Sequence, residues 1–161
     1  MLSEKARAEI LRIRDKYPDP QSALLPALHL AQADYGGWLP VAAFDDVAEV
    51  MELSPTLVAS VVSFYSMLYR RPVGQYTIQV CTSISCSLAG ARPLLKYLSQ
   101  KLGIEPGETS PDGRFSLLEV ECLGSCGTAP AMQVNDTYYE NLTEARVDEI
   151  LASLTQKEND T

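Results

Sequence analysis

Apolar residues recur at helical spacing through the first part of the chain. Ala6, Ile10, Ile13 and Tyr17 lie at i, i+4, i+7 and i+11, on one face of a helix that begins near Ser3. Three further segments follow, and their inward positions are predicted to be Leu24, Leu28, Ala31 and Tyr35, then Phe44, Val47, Ala48 and Met51, and finally Leu57, Val58, Val61, Val62 and Tyr65. Four amphipathic helices joined by short turns can bury a common core, so this part predicts a helical bundle.

Residues with special backbone preferences predict where these helices begin and end. Asp19 is followed by a proline, and this pair is typical of a helix start, with an N-cap side chain and a proline in the first turn. Ser54 is also followed by a proline and predicts a second start of the same kind. A pair of glycines beginning at Gly36 is expected to end the second helix. Pro26 falls inside that helix and removes a backbone donor, so we expect either a kink or a later start of the helix.

The hydrophobic period changes beyond residues 70–74, which form a candidate linker. The predicted strands are residues 77–80, 116–121, 131–134 and 137–139, and the predicted helices are residues 88–102 and a last helix capped by Thr143. The order β-α-β-β-β-α predicts a small sandwich whose first crossover is parallel and right-handed. We therefore predict an α/β (α+β) protein with a helical bundle in residues 1–72, a second domain in residues 73–161 and a frayed tail at residues 156–161.

Composition and charge limit the classes of partner. The chain of 161 residues is 46% hydrophobic and 21% charged, which is typical of a globular protein. Its net charge of −8 argues against nucleic acid, because phosphate binding needs a basic surface. The charged start predicts no secretory signal, and the uncharged residues 53–69 are too short and too hydroxylated for a bilayer of about 30 Å. We expect a cytoplasmic protein without direct membrane insertion.

The candidate chemistry lies in the cysteines, which form two close pairs: Cys81 with Cys86, and Cys122 with Cys126. Structural zinc and thioredoxin-type redox sites usually place two residues between cysteines, but these pairs enclose four and three. Wider loops suit a [2Fe–2S] cluster, which takes two sulfurs on each iron. The spacing favours one such cluster; a zinc-stapled interaction module and a thiol oxidoreductase remain as alternatives. Two disulfides in a secreted domain are disfavoured without a signal segment.

Both pairs follow predicted strands, where loops present side chains from a rigid frame. Because short loops favour shared ligation, we hypothesise that Cys81 and Cys86 bind one iron and that Cys122 and Cys126 bind the other. Gly124 and Gly127, on either side of Cys126, allow the backbone to fold against sulfur and present N–H donors.

No other catalytic group stands out in the sequence, and no catalytic residue is predicted. His29, the single histidine, is interpreted as a partly buried helix residue and not as a ligand. The glycine patterns match neither a dinucleotide fingerprint nor a phosphate loop, so no NADH or flavin site is expected on this chain. Pro130 precedes a predicted strand and is a candidate for a cis peptide bond.

The sequence of residues 61–91 and 102–143, which contains both cysteine pairs, resembles the E-subunit of bacterial respiratory NADH:quinone oxidoreductase (complex I) and its mitochondrial counterpart, the small flavoprotein-fraction subunit. The resemblance extends over about residues 22–154. It implies a helical bundle followed by a thioredoxin-like domain that holds one [2Fe–2S] cluster. The family's four ligands fall on Cys81, Cys86, Cys122 and Cys126.

The resemblance also implies a partner and a place of action. The partner is the F-subunit, the flavoprotein that binds FMN and NADH, and the helical part of this chain is expected to dock it. The chain would then be an electron-transfer subunit in the cytoplasmic peripheral arm of complex I, exchanging single electrons with the flavin. Similar domains occur in the diaphorase modules of NAD-linked hydrogenases and formate dehydrogenases, which provide the alternative function.

Overall fold

The computed structural model describes residues 1–156. The chain divides into two compact units, Met1–Val73 and a second unit that begins at Gly74. The predicted frayed tail lies almost entirely outside the described residues.

The first unit consists of four α-helices and one 3₁₀ turn. Helix α1 spans Glu4–Arg14, the 3₁₀ turn Pro20–Ala23, α2 Leu24–Asp34, α3 Val41–Met51 and α4 Pro55–Phe64. The four predicted helices are confirmed. The side chains that enclose their common core are Ile10, Leu24, Leu28, Leu39, Val47, Met51, Val58 and Val62, all fully buried.

Side-chain caps fix the helix starts where the sequence predicted them. Ser3 Oγ accepts a hydrogen bond from the Ala6 amide at 3.1 Å, and the Ser54 side chain accepts one from Thr56 at 3.3 Å. The Asp19 carboxylate caps the 3₁₀ turn in the same way. These oxygens satisfy amide groups that have no partner within the helix.

Pro26 resets the second helix and does not kink it. The chain first makes the 3₁₀ turn, and α2 then starts at Leu24, which places Pro26 in its first turn. The missing N–H of a proline costs nothing there, because first-turn amides lack intrahelical acceptors. The predicted helices extend too far at two tyrosines: α1 ends at Arg14 and α4 ends at Phe64, so Tyr17 and Tyr65 lie beyond them, each with 42% of its surface exposed.

A half-buried tyrosine–aspartate pair joins α2 to α3. Tyr35 Oη donates to Asp46 Oδ2 at 2.5 Å, and the Leu2 amide donates to the same oxygen at 2.8 Å. Burial, together with the hydrogen bond to Asp46, raises the pKa of Tyr35 to about 12. The same hydrogen bond, although opposed by burial, lowers the pKa of Asp46. The pair therefore stabilises the bundle while Tyr35 is neutral and Asp46 is charged.

We expect Tyr35→Phe to lower the stability of the first unit by about 1 kcal/mol at neutral pH, the usual net value of one hydrogen bond. Because the pKa of Tyr35 is raised on folding, its contribution is complete below the unfolded value of about 10 and is lost as pH rises towards the folded value. Thermal unfolding from neutral to strongly alkaline pH should show the wild-type advantage shrinking over that range. Tyr17→Phe, at an exposed position, is the control; an equal loss in both variants would contradict the role of the pair.

The second unit is built on a four-stranded sheet. Strand β1 spans Tyr76–Cys81, β2 Phe115–Val120, β3 Met132–Val134 and β4 Thr137–Tyr139, in the order β2-β1-β3-β4. β1 pairs with β2 in parallel, so that Cys81 lies opposite Val120. β3 pairs antiparallel with β1 and forms a hairpin with β4, which confirms the predicted parallel pair and hairpin.

The helix predicted over residues 88–102 starts later than expected, at Ala91, and a separate short helix precedes it. Helix α5 spans Ile84–Leu88 and α6 spans Ala91–Leu102. Gly90 separates them in a left-handed conformation with φ 98°, which an L side chain adopts only with strain. The early start of α5 places Cys86 on a short helix directly after β1.

Helix α6 packs on the parallel strands and on the last helix, α7, which spans Glu144–Gln156. Thr143 caps α7 as predicted, with its hydroxyl oxygen accepting from the Arg146 amide at 3.2 Å. The core between these elements includes Ile78, Val80, Leu98, Leu117, Met132, Val147 and Ile150. Among residues 1–156, no helix combines the length and apolar character needed to cross a bilayer.

Candidate functional site

The four predicted cysteines lie where the strands of the parallel pair end. Cys81 is the last residue of β1 and Cys86 lies in α5, whereas Cys122 follows β2 and Cys126 opens a 3₁₀ turn, Cys126–Thr128. All four are free thiols. Cys81 and Cys86 are 3% and 2% exposed, while Cys122 and Cys126 are open to solvent. Each pair thus comes from the loop after one of two adjacent parallel strands.

The two buried cysteines contact each other. A hydrogen bond between their sulfurs lowers the pKa of Cys81 and raises that of Cys86. For Cys81, burial acts against the thiolate, but amide groups of Ser83 and Leu123 outweigh it and bring the pKa below its ordinary value. For Cys86, burial is the largest cause of a raised pKa. The first pair therefore holds one negative charge more easily than two unless a cation compensates.

The loop after β2 closes over this first pair. Cys81 Sγ lies 3.6 Å from the carbonyl oxygen of Glu121, and the Leu123 amide donates to the same sulfur. The charge of Cys126 also acts on Cys86. The structure thus brings the two predicted bends together at one edge of the sheet.

Backbone amides point at sulfur in both bends. The Gly124 amide lies 3.4 Å from Cys122 Sγ, and the Ala131 amide donates to Cys86. Gly124 has φ 78°, which glycine adopts without strain. The amide donation predicted for this glycine is present; for Gly127 it remains a prediction.

The surroundings of the inner sulfurs are apolar and small. Cys81 and Cys86 form a buried cluster with Ala91 and Ala131, and Leu123 and Ala129 pack against it. The Ala129–Pro130 peptide bond is cis. His29 lies in α2 as predicted, but it is exposed and not partly buried. Within the described part of the chain, no three Cys, His, Asp or Glu side chains are gathered around one point suited to a single metal ion.

This donor set fits an iron–sulfur cluster in its chemistry. The groups that approach the sulfurs are amide N–H donors and small apolar side chains, which favour thiolates in a partly dry site. The sulfur ligands form two pairs, and each pair can bind one iron of a diiron core.

Sequence reasoning missed two carboxylates that support the bends. Glu119 accepts a hydrogen bond from the Thr82 hydroxyl at 2.7 Å beside Cys81, and Glu140 accepts one from Thr128 at 2.5 Å beside Cys126. Nothing in the local sequence points to these pairs, because the partners meet only after the sheet has formed. For Glu119, the predicted parallel pairing of β1 and β2 was the one usable signal.

Comparison with known proteins gives a consistent result. The family model of thioredoxin-like [2Fe–2S] ferredoxins matches residues 10–155. NADH-quinone oxidoreductase E-subunit 2 of Rhizobium meliloti (strain 1021) is 43% identical over 147 residues, which cover 91% of this chain and 87% of that protein. The mitochondrial NADH dehydrogenase [ubiquinone] flavoprotein 2 of Dictyostelium discoideum is 45% identical over 139 residues, 85% of this chain and 56% of that one.

A solved structure is also similar. The crystal structure of an NAD⁺-reducing [NiFe]-hydrogenase in the air-oxidized state matches 83% of this chain with a TM-score of 0.71 and 26% sequence identity. This chain covers only 23% of that hydrogenase chain. The similarity therefore concerns one segment of a larger protein.

Proposed function

The chain belongs to the thioredoxin-like [2Fe–2S] ferredoxin family, and from this membership we propose that it is the one-electron carrier subunit of the NADH dehydrogenase module of a respiratory NADH:quinone oxidoreductase. The observation that supports the proposal most is the meeting of two cysteine bends at one sheet edge, with the Leu123 amide and Glu121 carbonyl of the second bend at Cys81 of the first. Relatives that match most of their own length are named as the E-subunit of that enzyme.

The proposed ligands are Cys81 and Cys86 for one iron and Cys122 and Cys126 for the other. The contact between Cys81 and Cys86 supports the first pair. The turn that carries Cys126 follows Cys122 closely, which supports the second pair by the short-loop argument. The first pair lies in the protein interior and the second at the surface, so the two irons would differ in exposure to solvent.

A bound [2Fe–2S] cluster supplies reversible uptake of one electron. The chain's own residues set the conditions for it. The amides of Ser83, Leu123, Gly124 and Ala131 donate to thiolate sulfurs and offset negative charge in a site of four thiolates. Burial of Cys81 and Cys86 keeps water away from one side of the site, which opposes the addition of further negative charge. Burial and the four negative thiolates favour a low reduction potential, and the amide donors offset part of this effect.

The proposed partner is the F-subunit, a flavoprotein that carries FMN and the NADH site. The relatives' names support membership in such a complex, since they describe subunits of NADH-quinone oxidoreductase and of mitochondrial NADH dehydrogenase. In this proposal the chain lies in the peripheral arm, on the cytoplasmic side. It exchanges single electrons with the partner's flavin and performs no hydride transfer itself.

We expect NADH to reduce the cluster only in the presence of the partner. The chain should be purified anaerobically alone and after co-expression with the flavoprotein, and the visible and EPR spectra recorded after NADH addition. Dithionite is the control that reduces the isolated chain directly. Reduction of the isolated chain by NADH would contradict the proposal, because it would place a nicotinamide site on this polypeptide.

Metal analysis separates the other two functions raised by the cysteines. About two irons and two sulfides per chain are expected. One zinc without sulfide would support a structural interaction module, and an iron-free chain with a readily oxidised thiol pair would support a thiol oxidoreductase.

The similarity to the hydrogenase structure keeps a second candidate, the equivalent subunit of an NAD-linked hydrogenase or formate dehydrogenase. The E-subunit relatives favour the respiratory enzyme, because they are more similar and match the chain over most of their own length. Affinity purification from the native source distinguishes the two: membrane-arm subunits indicate the respiratory complex, and a nickel-containing or formate-oxidising subunit indicates the alternative.

A further inference from the structure

The turn that carries Cys126 is held from outside by one carboxylate. Glu140 follows β4, and its Oε1 accepts a hydrogen bond from Thr128 Oγ1 at 2.5 Å. The Ser125 hydroxyl also faces this carboxylate and contributes to lowering its pKa, after the larger contribution of Thr128. The two hydroxyls come from the residue before Cys126 and from the second residue after it, so one side chain bridges the turn across the cysteine.

Main-chain hydrogen bonds place Glu140 for this contact. The Asn141 amide donates to the Thr128 carbonyl at 2.7 Å, and the Leu142 amide donates to the Pro130 carbonyl at 3.1 Å. Asn141 adopts φ 49°, which turns the chain back towards the cysteine turn. The segment after β4 thus runs beside residues 128–130, and these hydrogen bonds hold the backbone next to Glu140 while its side chain contacts the turn.

The turn itself has few other restraints. Cys126–Thr128 is a single 3₁₀ turn, and Cys126 and Gly127 are exposed. Inside the turn the Thr128 amide donates to the Ser125 carbonyl at 3.2 Å. Thr128 Oγ1 lies 3.4 Å from the same carbonyl oxygen. A short exposed turn of this kind does not hold a side chain in one position without outside support.

From this arrangement we propose that Glu140 is a positioning residue, which fixes Cys126 for metal ligation by clamping the hydroxyls of Ser125 and Thr128. The inference rests on the proposed ligand role of Cys126. The two hydroxyls hold the pKa of Glu140 below its ordinary value, so the clamp is charged at neutral pH. A fixed negative charge beside the turn also disfavours electron uptake at the site.

The test uses full-length protein purified with its metal. Glu140→Ala removes both the oxygen acceptors and the charge, so we expect severalfold faster loss of iron to a chelator and faster amide exchange in residues 123–129. Glu140→Gln keeps an oxygen that can accept both hydroxyls. It should retain iron nearly as the wild type does and shift the midpoint potential upward. Retained iron together with a shifted potential would separate the positioning by the oxygen acceptor from the effect of the charge.

Thr128 offers a matched pair of variants. Thr128→Val removes the hydroxyl at nearly constant volume and should accelerate iron loss, whereas Thr128→Ser keeps the hydroxyl and should restore the wild-type rate. The double variant Glu140→Ala/Thr128→Val should lose iron no faster than Glu140→Ala alone, because the Thr128 contact is already absent once Glu140 is truncated.

The inference would be overturned if Glu140→Ala released iron at the wild-type rate and left amide exchange of the turn unchanged. A wild-type protein without iron and sulfide would instead defeat the proposed function. In that case amide exchange of residues 123–129 in the same samples still decides whether Glu140 holds the turn.

Discussion

Replacing Cys86 by alanine is expected to lower the iron content from about two atoms per chain to well below one. Cys86 is 2% exposed and in contact with Cys81, so its loss leaves a buried, unshared thiolate ligand and a small cavity. A bound cofactor stabilises the state that holds it, so the second unit should unfold earlier than in the wild type. We expect its melting temperature to fall by about 10 °C, since one kcal/mol corresponds to about 4–8 °C in a domain of this size. The iron content and melting temperature of Cys86→Ser should lie between those of the wild type and Cys86→Ala, because a hydroxyl oxygen is a poorer ligand for iron than sulfur.

Ser85→Ala is the matched control for this experiment. Ser85 is the exposed neighbour of Cys86 in α5, and the variant should keep iron, sulfide and melting behaviour. Amide exchange should show that Cys86→Ala loosens residues after Gly74 before it affects the helical unit. Unchanged iron in Cys86→Ala would remove this residue from the ligand set.

The second large effect is expected at Gly74, where a methyl group has no room. A Cβ at this position would lie 2.7 Å from the carbonyl carbon of Phe115 and 2.9 Å from the carbonyl oxygen of Arg114. These atoms belong to the backbone at the start of β2, so they cannot rotate away. The Gly74 amide also donates to Ser116 Oγ at 2.7 Å, which fixes the distance between the two segments. Gly74→Ala should therefore destabilise the second unit by about 3 kcal/mol, at the upper end of the usual cost of overpacking.

Gly127→Ala provides the comparison for Gly74→Ala. Its added Cβ would meet no atom within 4 Å, and its φ lies outside the left-handed region. Chemical denaturation should place this variant close to the wild type and Gly74→Ala clearly below it. Equal stability of the two variants would show that the strand start moves to accommodate the methyl group.

Local signals in the sequence predicted the four helices of the first unit and the residues near which they begin. The side chains of Asp19 and Ser54 cap a turn and a helix where they were predicted to do so, and the first helix begins beside Ser3 as predicted. Capping depends on residues within one turn of each other, so it can be inferred without the tertiary fold. The strands and the two cysteine pairs could also be predicted, because strand patterns and cysteine spacing are local features of the sequence.

Other features depended on contacts between distant segments or on competing preferences. The break at Gly90 was missed, because a glycine in a helical pattern is compatible with either a continuous helix or a termination. The end of α1 before Tyr17 was missed because helical spacing continued beyond the last residue that the core could cover. The clamp by Glu140 has no sequence signal, since its partners lie a strand hairpin away.

The parallel pairing of β1 with β2 has a consequence for biosynthesis. Cys81 and Val120 become neighbours only after the intervening helices α5 and α6 have been made and the crossover has closed. With the proposed ligands, a nascent chain that still ends before residue 126 offers the assembly machinery an incomplete set of thiolates. Maturation of the cofactor therefore follows translation of most of the polypeptide, and it requires that the parallel pair of β1 and β2 has formed.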